Sequence, residues 1–165
     1  MRQSNHKNLF PYSKDGFTVI EIIAVLVMIS VISAIILGRL GGNIKADLDA
    51  RTDTLKTHLR YAQSRAMDSD LIWGIRYTGT GYFLFSFNGS SESAIRIPDE
   101  ENVIVDLSGD GISLGTFQAI SYDSWGSPYA NATGTGSSAG QTIVVSAGSA
   151  PPNAIAVTKN TGFIQ

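Results

Sequence analysis

Residues Phe17 to Leu37 form a run of 21 positions in which only Thr18, Glu21, Ser30 and Ser33 are polar. Coiled as a helix at about 1.5 Å per residue, such a run is roughly 31 Å long, the thickness of a bilayer core. A secretory signal would have a shorter apolar segment, about 7 to 15 residues, followed by small residues at an exit site. Leu37-Gly38-Arg39-Leu40 does not supply that site. The run therefore predicts a membrane-spanning helix. Arg2, Lys7 and Lys14 precede it against a single acid, Asp15, which places the N-terminus on the cytoplasmic side. The rest of the 165-residue chain is long enough for one domain with its own core. It has no cysteine, which removes disulfides, thiolate metal sites and a cysteine nucleophile together.

Glu21 is the exception inside the run. A carboxylate at bilayer depth costs about 2.5 to 3.5 kcal/mol on insertion scales, so it marks either a function or a position close to the interface. Its neighbours favour function. Gly16-Phe17-Thr18-Val19-Ile20-Glu21 resembles the processing signature of type IV pilins and type II secretion pseudopilins. The resemblance implies that a prepilin peptidase cuts between Gly16 and Phe17 and that the new Phe17 amine is methylated. It also implies that Glu21 guides assembly by pairing with the Phe17 amine of a neighbouring subunit. A glycine before the cut avoids a side-chain clash in a narrow active site. A buried pair of opposite charges offsets two costs that neither could bear alone.

Beyond the run, Gly38, Gly41 and Gly42 form a weak point, each costing about 1 kcal/mol against alanine in a helix. Ile44, Leu48, Thr52, Leu55, Leu59, Ala62 and Ala66 then recur every three or four residues, one face of an amphipathic helix. Lys45, Asp47, Asp49, Arg51, Asp53, Lys56, Arg60 and Arg65 are assigned to the solvated face, and His58 with them. The pattern predicts one long helix from Thr18 to Ser69. From Leu71 the period changes to that of strands. Ile72 to Tyr77 and Tyr82 to Phe87 flank Thr78-Gly79-Thr80-Gly81 as a hairpin, and Asn88-Gly89 turns the chain again. Further strands are expected near Ala94 to Ile97, Val103 to Leu107, Thr116 to Tyr122, Thr142 to Ser146 and Ala154 to Val157. Asn131 to Gly140 reads as an exposed, mobile loop.

The expected fold class is α+β, a pilin-like fold: a long N-terminal helix with a membrane-spanning first half, packed against an antiparallel β-sheet head. The expected segments are a cleaved basic leader (1–16), a transmembrane and filament-core helix (17–42), and a periplasmic head that includes the second half of the helix (43–165). Within the head, Leu59 to Met67 resembles the helix end of H-type minor pseudopilins and related minor pilins. Ser121-Tyr122-Asp123-Ser124-Trp125-Gly126-Ser127-Pro128 is similar to their aromatic-Asp-x-x-Gly-x-Pro turn. Ala154 to Val157 followed by Thr161-Gly162-Phe163-Ile164 resembles their closing strand pair.

Catalysis has little to stand on. His6 and His58 are the only histidines, and no serine sits in a glycine-flanked elbow. No cofactor is expected. Asp106, Ser108 and Asp110 are a calcium candidate that lacks the later bidentate glutamate of a full calcium loop, and an Asp-Gly turn is preferred. From Leu71 to Gln165, three basic residues face seven acidic ones, a net charge of −4, which disfavours nucleic acid as a partner. The resemblance instead implies other pilin or pseudopilin subunits, the prepilin peptidase and an inner-membrane assembly platform as partners. Location would be the bacterial inner membrane, then a pilus or pseudopilus. The function it implies is that of a minor subunit acting in filament initiation or at the tip. The alternatives are a major subunit forming the body of an extracellular, adhesive filament and an anchored binding domain whose motif is accidental.

Overall fold

The structure, a computed structural model, describes residues 16–40 and 44–165, with the backbone alone for 34–40. The expected leader, apart from Gly16, therefore lies outside the described residues, as do Gly41 and Gly42. Two compact units are present, one ending at Gly42 and the other covering Asn43–Gln165.

The first unit contains helix α1, Val19–Leu40. Thr18 starts it: its carbonyl accepts from Glu21 N at 3.1 Å, and its hydroxyl accepts from the same N–H at 3.3 Å. The hydroxyl of Ser30 donates to Leu26 O at 2.7 Å, so one of the few polar groups of the run is satisfied within the helix. Gly38 lies inside α1. Among the described residues, no helix is long and apolar enough to cross a membrane.

The second unit is α+β. Helix α2, Ile44–Met67, packs on two antiparallel sheets. The larger has the order β3-β2-β1-β6-β7 with β4 also on β2, and is built from β1 Ile72–Tyr77, β2 Gly81–Phe87, β3 Glu92–Ile95, β4 Ile104–Asp106, β6 Ala119–Tyr122 and β7 Pro128–Tyr129. The smaller has the order β5-β8-β9, from β5 Ile112–Leu114, β8 Gln141–Ala147 and β9 Asn153–Val157. The single sheet expected from the sequence is thus two. Strands β8 and β9 pair with each other, and β8 also pairs with β5, a three-residue strand without a sequence signal of its own.

The periodic stripe of α2 makes the core. Leu48, Thr52, Leu55, Leu59, Ala62 and Ala66 are all buried. The apolar members meet Trp73 and Ile75 of β1, Leu84 of β2, Ile120 and Tyr122 of β6, Ile143 of β8 and Ile155 of β9 in one cluster. Each fully buried aliphatic or aromatic side chain contributes about 1.5 to 3 kcal/mol relative to exposure. Two expectations fail on this helix. Ile44, at the first position of α2, is 48% exposed. His58, assigned to the solvated face, is 4% exposed. Lying between Leu55 and Leu59, it falls at the flank of the apolar stripe, about 60° of helical rotation from Leu55, and points into the core.

The expected hairpin forms, with Tyr77 opposite Tyr82. Thr78 closes its turn, donating from N–H to Gly81 O at 3.0 Å and accepting Gly81 N–H on its hydroxyl at 3.1 Å. The 131–140 loop is held rather than free. Asn131 Oδ1 accepts from the Thr133 N–H at 3.0 Å, the Ser121 hydroxyl donates to Asn131 O at 2.7 Å, and Ala139 N–H donates to Pro128 O at 2.9 Å. Gly134 lies directly against the Ile72 side chain, on the face of β1 opposite the core. The loop thus covers part of the outer sheet face. The expected closing strand pair is β9 and a single bridge, Val157 opposite Ile164, joined by a tight turn with Asn160 at φ 68°.

Candidate functional site

The sequence-predicted processing residues are consecutive in space as in sequence. Gly16 and Phe17 are exposed, Phe17 by 80%, and precede the first turn of α1. Phe17, Glu21, Ile22, Val25 and Leu26 line one shallow concavity of about 250 Å³ along the helix. The spacing i, i+4, i+5, i+8, i+9 places them on one face. Glu21 is thereby the only ionisable group in an apolar groove next to the proposed cleavage point. The structure also gives Glu21 a role that sequence reasoning missed. Its backbone N–H is capped by Thr18, and its carboxylate stands in the first helical turn, where the helix dipole favours negative charge by about 0.3 to 1 kcal/mol. The signal was available as Thr18-x-x-Glu21 before an apolar run.

The two carboxylates of the calcium candidate each have another partner. Asp106 Oδ1 accepts the Ser108 N–H at 2.9 Å, and the carboxyl is held below its ordinary range by that backbone bond first and by the Ser108 side chain second. Asp110 is paired with Arg51 at 2.6 Å. The segment is a turn with a short 3-10 stretch, Ser108–Asp110, closed by Gly111 at φ 66°. Among the described residues, no three histidine or carboxylate side chains are grouped as metal ligands.

Two polar assemblies were not foreseen. In the first, Asn153 of β9 donates to Asp49 at 2.7 Å and to the buried Thr52 hydroxyl at 3.0 Å, while Lys45 bridges Asn153 and Asp49. This network ties the first turns of α2 to the small sheet. In the second, His58 Nδ1 lies 2.8 Å from the hydroxyl of Tyr82, itself 1% exposed, and His58 Nε2 is 3.8 Å from Glu100. Burial lowers the proton affinity of His58, opposed by the charges of Glu100 and Asp99, and burial raises the Tyr82 phenol.

The aromatic-Asp turn is over-determined. Asp123 accepts from Trp125 N–H, Ser127 N–H and the Tyr129 hydroxyl, each at 2.9 Å, and the last bond raises the proton affinity of Tyr129. Gly126, at φ 75°, packs on Met67 and Gln63 of α2. The turn presents Trp125 84% exposed. On the basic side, Arg76 is paired with Glu92, and Arg96 donates to Glu100 O, so two of the three cations between Leu71 and Gln165 are already engaged.

Compared with protein-family models, with curated proteins and with solved structures, the chain matches none.

Proposed function

We propose that this chain is a structural subunit of a type IV pilus-like filament, cut between Gly16 and Phe17 and anchored by the apolar run that follows. The observation carrying this reading is Gly16-Phe17 followed at once by a helix whose one acidic side chain, Glu21, stands in an otherwise apolar groove. The membrane span rests on the sequence run Phe17 to Leu37. Further support comes from the division into two units, because a filament subunit needs a folded head that does not depend on its apolar helix. Its partners are then like subunits, the processing peptidase, the assembly platform and the inner membrane. A minor subunit of initiation or tip is favoured over a major one, since the head lacks the cysteines that staple many major subunits.

Three quantities measured in one strain test the reading: precursor cutting, membrane insertion and recovery in sheared filaments. Intact mass is expected to show loss of Met1 to Gly16 and a methylated Phe17, and Gly16→Val is expected to block the cut. Glu21→Leu is expected to insert and be cut but to incorporate poorly, because it leaves a neighbour's amine unpaired in an apolar core, at a cost of about 3 to 5 kcal/mol. Normal maturation of Gly16→Val removes the cleavage assignment. Normal recovery of Glu21→Leu removes the pairing role and leaves Glu21 as a first-turn helix residue.

A further inference from the structure

We propose that His58 is an acid-operated partner switch in the head, bonded to Tyr82 when neutral and to Glu100 when protonated. The inference is independent of the filament reading, since it concerns only the second unit.

The phenol of Tyr82 is buried, and His58 Nδ1, at 2.8 Å, is its hydrogen-bond partner among the described residues. A buried hydroxyl must place its proton on an acceptor. Nδ1 therefore accepts, and the neutral ring carries its own proton on Nε2, the nitrogen that faces Glu100 at 3.8 Å. That distance is too long for a hydrogen bond and short enough for a charge to be felt. Protonation changes both sides of the ring at once. Nδ1 gains a proton and can only donate, so the phenol keeps this contact only by accepting, with its own proton turned from the ring and left without an acceptor among the described residues. Nε2–H becomes part of a cation, and the carboxylate of Glu100, with one quarter of its side chain exposed, is free to close the gap.

The surroundings define what competes. From β2 comes the Tyr82 phenol, and from residues 96–103 come the carboxylates of Asp99 and Glu100. From α2 itself come Arg51 and Asp53, which line the same cavity of about 570 Å³ as His58 and Glu100. Arg51 is held by Asp110 at 2.6 Å, which draws its charge away from the ring. The cavity gives Glu100 room to move. In the neutral state the ring ties α2 to β2, and in the protonated state it ties α2 to residues 96–103. Acid thus moves the grip of this helix from the sheet to the neighbouring connection.

The sign of the stability effect follows from burial winning over the two carboxylates. The folded chain binds this proton more weakly than the unfolded chain, whose imidazole titrates near 6.5. The stabilisation from neutral His58 is complete above about pH 6.5 and is lost as pH falls from there through the lower folded-state value.

The test uses the full chain with His6→Gln, so that His58 gives the single imidazole signal, and follows its ring nitrogens by NMR against pH. The expected result is the Nε2–H tautomer at neutral pH and a midpoint below that of free histidine. Tyr82→Phe keeps the ring volume, removes the donor and is expected to raise the proton affinity about tenfold, the worth of one buried hydrogen bond. Glu100→Gln is expected to lower it. An Nδ1–H tautomer overturns the proposal, as does a midpoint that Tyr82→Phe leaves unmoved. Should that variant not fold, the partly exposed Glu100→Gln decides alone, and an unchanged midpoint there overturns the switch.

Discussion

Helices α1 and α2 have nearly the same length, 22 and 24 residues, and opposite means of support. In α1 every large apolar side chain from Val19 to Ile32 is at least 49% exposed, on all sides of the helix. In α2 the apolar residues form a stripe, and that stripe is buried to within 1% of complete at Leu48, Leu55, Leu59, Ala62 and Ala66. A helix apolar on every face satisfies its own backbone and leaves its side chains to an environment outside the chain, whether lipid or another protein. A striped helix draws its stability from the sheet it covers. The two units therefore respond to mutation by different rules, and the difference can be measured.

The largest contrast is between two leucines. Leu59→Ala empties a fully buried position between α2 and the strands, and is expected to cost the head about 2 to 5 kcal/mol. Leu26→Ala removes the same atoms from a side chain that is 58% exposed, and is expected to leave the unfolding of the head unchanged. Denaturant unfolding followed by the fluorescence of Trp73, 6% exposed on β1, reads the head specifically. A comparable loss in both variants would show that the two units unfold as one.

Glycines give a sharper version with a smaller effect. Gly162 has φ 62°, and an added Cβ would stand 2.4 Å from Gly126 O and 2.5 Å from Gln63 Nε2. Gln63 already donates to Gly126 O at 3.0 Å and to Thr161 O at 3.1 Å, so nothing there is free to give way. Gly162→Ala is expected to cost about 1 to 3 kcal/mol. Gly16→Ala meets nothing within 4 Å and is expected to leave the same transition in place, whatever it does to processing.

The same division explains what could be read from the sequence. The α2 stripe and the β1–β2 hairpin were legible because each is a local pattern, a 3.6 period in one and a Thr-Gly turn between alternating strands in the other. The candidate processing residues are a local pattern too, as Gly16, Phe17 and Glu21 lie within six positions. Strands β5 and β7, three and two residues long, are too short to alternate and owe their extension to β8 and β6. Residues 131–140 look like free loop in composition, and the hydrogen bonds that hold them over the sheet use backbone groups that composition does not show. His58 was misplaced because its neighbours Lys56 and Arg60 are charged, whereas its angle on the helix is set by Leu55 and Leu59. Its partners Tyr82 and Glu100 are 24 and 42 positions away, beyond any local pattern.

The smallest effect concerns the outer face of the larger sheet, where a charge pair and an aromatic ring share one arginine. Arg76 of β1 donates from Nε to Glu92 Oε1 of β3 at 2.8 Å and from Nη2 to Oε2, a two-pronged contact across β2. Its guanidinium also lies 5.7 Å from the ring centre of Phe85, which is fully buried although it is on the face away from the core. Both partners of the pair are more than a quarter exposed, so the ion pair itself is worth about 0.2 to 1 kcal/mol and fades with salt. Glu92→Gln is expected to cost no more than that, and its cost is expected to shrink in high salt. Arg76→Ala also uncovers Phe85, losing the arginine stem as packing and the cation over the ring. It is therefore expected to cost more than Glu92→Gln by about 0.5 to 1 kcal/mol, and the excess is expected to persist in salt. The discriminating measurement is the urea midpoint of both variants at low and at high ionic strength. Equal costs that vanish together in salt would mean that Phe85 is sheltered without Arg76, which then acts only as a charge. An excess that survives would make this face a second, smaller core of the head, closed by a charged side chain, which no described side chain of α1 resembles.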